Sequence, residues 1–132
     1  MGIILGSGHR KIAYERIEER TIIDFAEIPN FPIPTNIGHG RDLVVGKIHG
    51  RNVLAFTGRI HMFEGYRHQY LNWLQCIACF MGCQLCVSTN SCGSIYSELN
   101  IGDIVIQTDN VNWSSKAYLS RKFRLTKSRY FG

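Results

Sequence analysis

An α/β fold is predicted by three features of the chain. Short apolar runs suited to strands alternate with segments of helical periodicity. Several apolar runs end in small-residue loops, at Gly6-Ser7-Gly8, at Gly58-Arg59 and over Asn90 to Gly93. One long segment, Arg67 to Met81, carries Leu71, Leu74, Ile77, Ala78 and Met81 at three- and four-residue steps, which places them on one helical face.

In chain order, Gly2 to Leu5 reads as a strand feeding the turn at Gly6. His9 to Glu19 is polar, with Ile12, Ala13 and Ile17 on one side, and predicts an exposed helix. Thr21 to Phe25 reads as a second strand. Pro29, Pro32 and Pro34 break regular structure and mark a loop that runs to Gly40. Asp42 to Lys47 and Arg51 to Thr57 flank His49-Gly50, a hairpin signal. After the Arg67–Met81 helix, Gly82 is the stop, Gln84 to Thr89 reads as a buried strand, and Ile104 to Gln107 as the last one.

The chain has 132 residues, of which 45% are hydrophobic and 19% charged, a globular composition with room for a single core. Its apolar runs fall short of the roughly 20 residues a membrane-spanning helix needs, and no secretory signal is visible at the N-terminus. The net charge of +5 is concentrated at one end. Lys116, Arg121, Lys122, Arg124, Lys127 and Arg129 follow the last acid, Asp109, so residues 1–112 are expected to form the domain and 113–132 a basic tail. Such a tail could draw an acidic surface or nucleic acid, but its aromatic residues are not interleaved with its charges, which makes nucleic acid the weaker reading.

Cys76, Cys79, Cys83 and Cys86 follow C-x2-C-x3-C-x2-C. Metal modules usually separate ligand pairs by a dozen or more residues, whereas these spacers are short and core-like. The cysteines are therefore expected to be free, buried and reduced, in a cytoplasmic protein with no metal.

The chemistry concentrates in Arg59-Ile60-His61-Met62-Phe63-Glu64-Gly65-Tyr66. This segment follows the apolar run Val53 to Thr57 and so belongs at a strand end, where open α/β sheets bind ligands. An arginine fork suits phosphate or carboxylate, and a carboxylate beside a histidine holds the imidazole in one orientation. A plain polar loop would contain the same residue types, with Arg59 and Glu64 joined in a surface ion pair worth less than about 1 kcal/mol.

That segment resembles the signature of the trimeric purine nucleoside phosphorylases. Four further segments match the family in the same order: Gly2 to Gly8, Glu27-Ile28-Pro29-Asn30-Phe31-Pro32, Gly38-His39, and Thr89-Asn90 followed by Gly102-Asp103-Ile104-Val105. The resemblance implies a nucleoside phosphorylase-like mixed β-sheet flanked by helices. It also implies phosphorolysis of a purine nucleoside to a free base and a pentose 1-phosphate, with inorganic phosphate as co-substrate and no cofactor. By the same resemblance, Ser7, His39, Arg59, Ile60, His61 and Ser91 surround phosphate, Ile60 and Ser91 through their backbone. His61 and Glu64 form the catalytic pair, with Glu64 orienting the ring. Phe63 replaces a tyrosine that packs on the ribose.

Two departures stand out. The first turn continues His9-Arg10-Lys11 where the family continues with glycines, which adds charge and removes room for backbone approach. The resemblance also places the purine contacts in a C-terminal half that these 132 residues do not include. A truncated, impaired phosphorylase is the leading expectation, a homotrimer if full length. The alternatives are a non-catalytic subunit of a hetero-oligomer and a basic-tail nucleic-acid binder. Apolar faces left uncovered by the missing half are expected to make the chain marginally folded or self-associating.

Overall fold

The computed structural model describes residues 1–111, so the basic tail at 113–132 lies outside the described residues. The chain divides into two compact units, Met1–Ser91 and Cys92–Gly132.

The first unit is a five-stranded mixed sheet. Its strands are β1 (Gly2–Ile4), β2 (Glu18–Asp24), β3 (Asp42–Ile48), β4 (Arg51–Phe56) and β5 (Cys86–Ser88). Their spatial order is β2-β3-β4-β1-β5. β2–β3 and β3–β4 are antiparallel, whereas β1 runs parallel to both β4 and β5. Three strands therefore point the same way and deliver their C-terminal ends to one edge of the sheet.

Alternation along β4 sets the two sides of the core. Leu54 and Phe56 join Ile4, Phe25, Phe31 and Leu43 on the face covered by helix α2 (Trp73–Phe80) through Leu74 and Ala78. Val53 and Ala55 join Leu5, Val44 and Ile17 on the opposite face, together with Ala13 of the short helix α1 (Lys11–Glu15). The predicted hairpin is present: His49 and Gly50 have φ of 48° and 72°, and positive φ at both centres of a two-residue loop is a type I′ turn.

Both helices are shorter than the periodicity predicts. The first keeps only Lys11–Glu15, and Glu18 onward joins β2 instead. The second begins as a 3-10 segment over His68–Asn72 before Trp73–Phe80 becomes α-helical. Gly82, with φ of 79°, ends it, and Cys83 N–H returns 2.9 Å to the Ala78 carbonyl in a Schellman-type closure. Met81 lies past that end and is exposed.

Three expectations need correcting. β5 is an exposed edge strand rather than a buried one, because it pairs on one side only, with β1. Its apolar run reads as core, yet Leu85 and Val87 are solvent-exposed. The cysteines are free but not buried, because Cys79, Cys86 and Cys92 are exposed and Cys76 and Cys83 only partly covered. Ile104 to Gln107 forms no strand, since a strand exists by pairing and this segment pairs with none among the described residues.

In the second unit, the described residues Cys92–Val111 hold only local turns. Ser94 Oγ accepts from Tyr96 N–H at 2.9 Å, and Asp103 accepts from Asn100 N–H at 2.8 Å. Ile95, Ile101 and Ile104 are almost fully exposed.

Backbone contact at two glycines fixes the site's edge. A Cβ on Gly58 would lie 2.2 Å from the Gly40 carbonyl oxygen, and one on Gly40 would lie 2.2 Å from Thr57 Oγ1. Gly40→Ala and Gly58→Ala are each expected to lower stability by about 1–3 kcal/mol in urea denaturation, the usual cost of overpacking. Gly93→Ala is the comparison, since a Cβ there meets nothing within 4 Å and should leave the midpoint unchanged.

Candidate functional site

The three parallel strands end at Gly6-Ser7, Thr57-Gly58-Arg59 and Thr89-Asn90-Ser91, and hydrogen bonds stitch these ends together. Gly6 N–H donates to Thr89 Oγ1 at 2.9 Å, and Thr89 N–H donates to the Ile4 carbonyl at 2.9 Å. Arg59 reaches across from β4 and donates from an Nη to the Thr89 carbonyl at 2.7 Å. That bond uses one of the five N–H donors of a guanidinium. Burial pushes the Arg59 pKa down from its ordinary value, though a guanidinium remains charged at neutral pH.

The proline-bearing loop closes over these ends. Ser7 Oγ would lie 3.7 Å from a Cβ on Gly38, so the first strand's turn abuts the segment that carries His39. His39 is 7% exposed, and its Nδ1 is buried with no hydrogen-bond partner. Burial lowers its pKa, and the nearby His61 and Arg59 lower it further against an opposing pull from Glu64. The ring is therefore neutral at pH 7, with one N–H to give. A buried polar atom without a partner is costly unless something binds there.

His61, Phe63 and His39 form a connected set of rings. His39 and His61 meet edge-on with centroids 4.7 Å apart, and His61 stacks on Phe63 at 5.0 Å with an interplanar angle of 11°. Phe63 is 75% exposed, a flat apolar face turned to solvent beside the histidines. Ile60 is buried.

Glu64 organises this cluster. It closes a 3-10 turn, Met62–Glu64, that ends at Gly65 with φ of 79°. One carboxylate oxygen accepts from His61 N–H at 2.7 Å and lies 3.0 Å from His61 Nδ1. The other accepts from Thr35 N–H at 2.5 Å and Thr35 Oγ1–H at 2.8 Å. Burial alone would raise the pKa of this carboxyl, but the donors from Thr35 and His61 outweigh it and hold the pKa at about 2. An ionised carboxylate only accepts, so His61 faces it with a proton on Nδ1.

Ser7, His39, Arg59, Ile60, His61, Phe63, Glu64 and Ser91 all belong to the first unit, on or beside the three strand ends. His39, His61, Phe63 and Glu64 are linked by direct contacts, and Arg59 is tied to the strand end that leads to Ser91. Ser7 and Ser91 are exposed at that edge. Arg59 and Glu64 do not form the surface ion pair: the arginine goes to Thr89 and the carboxylate to His61 and Thr35. Sequence reasoning missed Thr35. It sits 29 residues from Glu64 in a proline-rich loop, with no spacing signal to connect them.

Comparison with known proteins assigns the fold to a family. The family model of the phosphorylase superfamily matches residues 1–127, and the chain belongs to that superfamily. The members it resembles are purine nucleoside phosphorylases. Purine nucleoside phosphorylase 1 of Bacillus subtilis is 35% identical over 113 residues, which is 86% of this chain and 41% of that protein. The Mus musculus purine nucleoside phosphorylase is 34% identical over 112 residues, 85% of this chain and 38% of its own. A crystal structure of purine nucleoside phosphorylase in complex with ribose-1-phosphate superposes with a TM-score of 0.68 at 34% identity, covering 77% of this chain and 37% of that one. Isoform 2 from Schistosoma mansoni, in complex with cytosine and ribose-1-phosphate, gives 0.66 at 42% identity, covering 77% and 35%. The chain thus spans about two fifths of the length of these relatives.

The depressed Glu64 pKa has a sign that can be tested. A group bound more tightly when ionised contributes stability that is complete above its unfolded pKa, near 4.5, and lost as pH falls towards about 2. The stability gap between the unmodified chain and Glu64→Gln is therefore expected to be constant above pH 5 and to shrink steadily between 4.5 and 2. Urea denaturation across that range measures it.

Proposed function

We propose that this site holds inorganic phosphate and the pentose of a purine nucleoside, the two components that meet at C1′ in phosphorolysis. The observation that carries the reading is the meeting at one strand edge of a half-buried guanidinium, a neutral histidine with an unpartnered buried nitrogen and a carboxylate-oriented histidine. The similarity to purine nucleoside phosphorylases, one of them bound to ribose-1-phosphate, supports it.

In this reading Arg59 supplies charge-assisted donors to the anion, and Ser7 and the backbone at Ile60 and Ser91 supply directional ones. His39 gives one N–H, and a dianion beside it favours its protonation. Phe63 packs on the sugar. A phosphate oxygen attacks C1′, the C1′–N bond breaks, and its electron pair leaves with the purine, which takes up a proton. Phosphate held beneath the ring opposes the positive charge that develops on the sugar. The donor-lined edge thus acts on both the nucleophile and the transition state, with neither metal nor cofactor required. We place the reaction in cytoplasmic purine salvage, for which the five free thiols are chemically suited. A homotrimer is the expected assembly if the protein is full length.

The 132-residue chain is expected to bind inorganic phosphate, measured by calorimetry at pH 7, with little release of hypoxanthine from inosine. The reading places the purine contacts outside these residues. Arg59→Ala should weaken phosphate binding by at least tenfold, the scale of one lost charge-assisted contact. Phosphate binding that is indifferent to Arg59→Ala, or absent altogether, would sink the proposal.

A further inference from the structure

We infer that Thr35 is a positioning residue for phosphate, acting through Glu64 so that seating the anion and fixing the Ile33–Gly40 loop become one event. The inference rests on the phosphate-site reading above and adds a residue that neither the sequence motifs nor the family likeness singled out.

The argument begins with the Glu64 carboxylate. Its side chain is 1% exposed, and no lysine or arginine bonds it among the described residues, so its charge is held by hydrogen bonds and His61. Four donors saturate its two oxygens, two from His61 and two from Thr35. The division is by oxygen: one faces His61 alone and the other Thr35 alone. The threonine bonds therefore fix the carboxylate plane, and that plane aims the His61 ring.

The same threonine lies in the loop that carries His39. The loop is tied down at three places. Tyr66 Oη–H donates to the Ile33 carbonyl at 2.8 Å, Thr35 bonds Glu64, and Gly40 N–H donates to the Thr57 carbonyl at 3.1 Å. Of these, only the Thr35 tie connects the loop directly to a residue touching the histidine pair. His39 and His61, whose rings meet at 4.7 Å, are thus held from opposite ends of one carboxylate. Ser7 Oγ, close against Gly38, abuts the same loop. An anion that engages both histidines pulls on both ends of the tie.

Thr35 is itself exposed, which separates this role from core packing. Thr35→Val keeps the size and the backbone donor but removes the hydroxyl; Thr35→Ser restores it.

The test uses the 132-residue chain with inorganic phosphate and three readouts: calorimetric affinity, ring-nitrogen NMR of His61, and exchange of the Thr35 amide. Thr35→Val is expected to bind phosphate about three- to tenfold more weakly, the net worth of one ordinary hydrogen bond. It should also shift the His61 Nδ1 signal while leaving the melting temperature within a few degrees. Thr35→Ser should return affinity to within about twofold. In the unmodified chain, phosphate should slow exchange of the Thr35 amide, a measurement that needs no variant to fold. Equal phosphate affinity in Thr35→Val with an unmoved His61 signal, or a Thr35 amide indifferent to bound phosphate, overturns the inference and leaves the phosphate site standing. No phosphate binding by the unmodified chain overturns that site and the inference with it.

Discussion

Contact between two backbones, Gly40 against Gly58, is the constraint on which the site depends. It brings the end of β4, where Arg59 begins the functional segment, against the loop that ends with His39. Both positions lack the atom that would prop them apart. The same device recurs at Gly6, where a Cβ would meet the Thr89 carbonyl oxygen at 2.4 Å. Three strand ends and one loop thus converge more closely than any pair of side chains would permit. The sheet supplies the direction, because β1, β4 and β5 run parallel, and the glycines supply the distance.

Electrostatics then divides the labour among the groups so gathered. A buried carboxylate next to the proposed anion site looks self-defeating, since like charges repel. Here the carboxylate is saturated by Thr35 and His61 donors and turned away from ligand duty. What it transmits to the site is orientation: a proton fixed on His61 Nδ1 and a ring held flat against Phe63. His39 is placed in the opposite way. Burial strips it of water, the nearby His61 and Arg59 lower its pKa further, and its Nδ1 has no partner among the described residues. One histidine is over-determined and the other is left wanting. This asymmetry is suited to admitting a polar ligand on one side while the other holds its shape.

Much of this was legible in the residues. His49-Gly50 specified a two-residue hairpin because glycine accepts positive φ and the flanking runs alternate. The arginine–histidine–glutamate segment specified an oriented imidazole, because three residues are few enough for a carboxylate to reach back. Thr35 was not legible, since its partner lies across a loop whose path only tertiary contacts decide. Apolar content misled at Gln84 to Thr89 and at Ile104 to Gln107. Hydrophobicity reports what would be favourable to bury, whereas burial requires a neighbour to supply the covering surface. β5 has such a neighbour on one side only, and Ile104 to Gln107 has no pairing strand.

That difference between the two halves of the sheet has consequences for the site. The antiparallel half, β2 to β4, is paired over long strands, and β3 and β4 supply buried residues to the core. The parallel half depends on β1 and β5, each three residues long, and parallel strands normally need cover on both faces. Exposed Phe80, Met81, Leu85 and Val87 mark where that cover is thin. The strand end at Thr89 therefore has little packing to hold it, and polar bonds take that role. Gly6 N–H and the Arg59 guanidinium both fasten onto Thr89, from β1 and β4 respectively. Arg59 so serves as a strut, beside the role of anion donor proposed for it. An anion drawing on its remaining donors would hold the guanidinium in place, and with it the wall of the site that packing secures least.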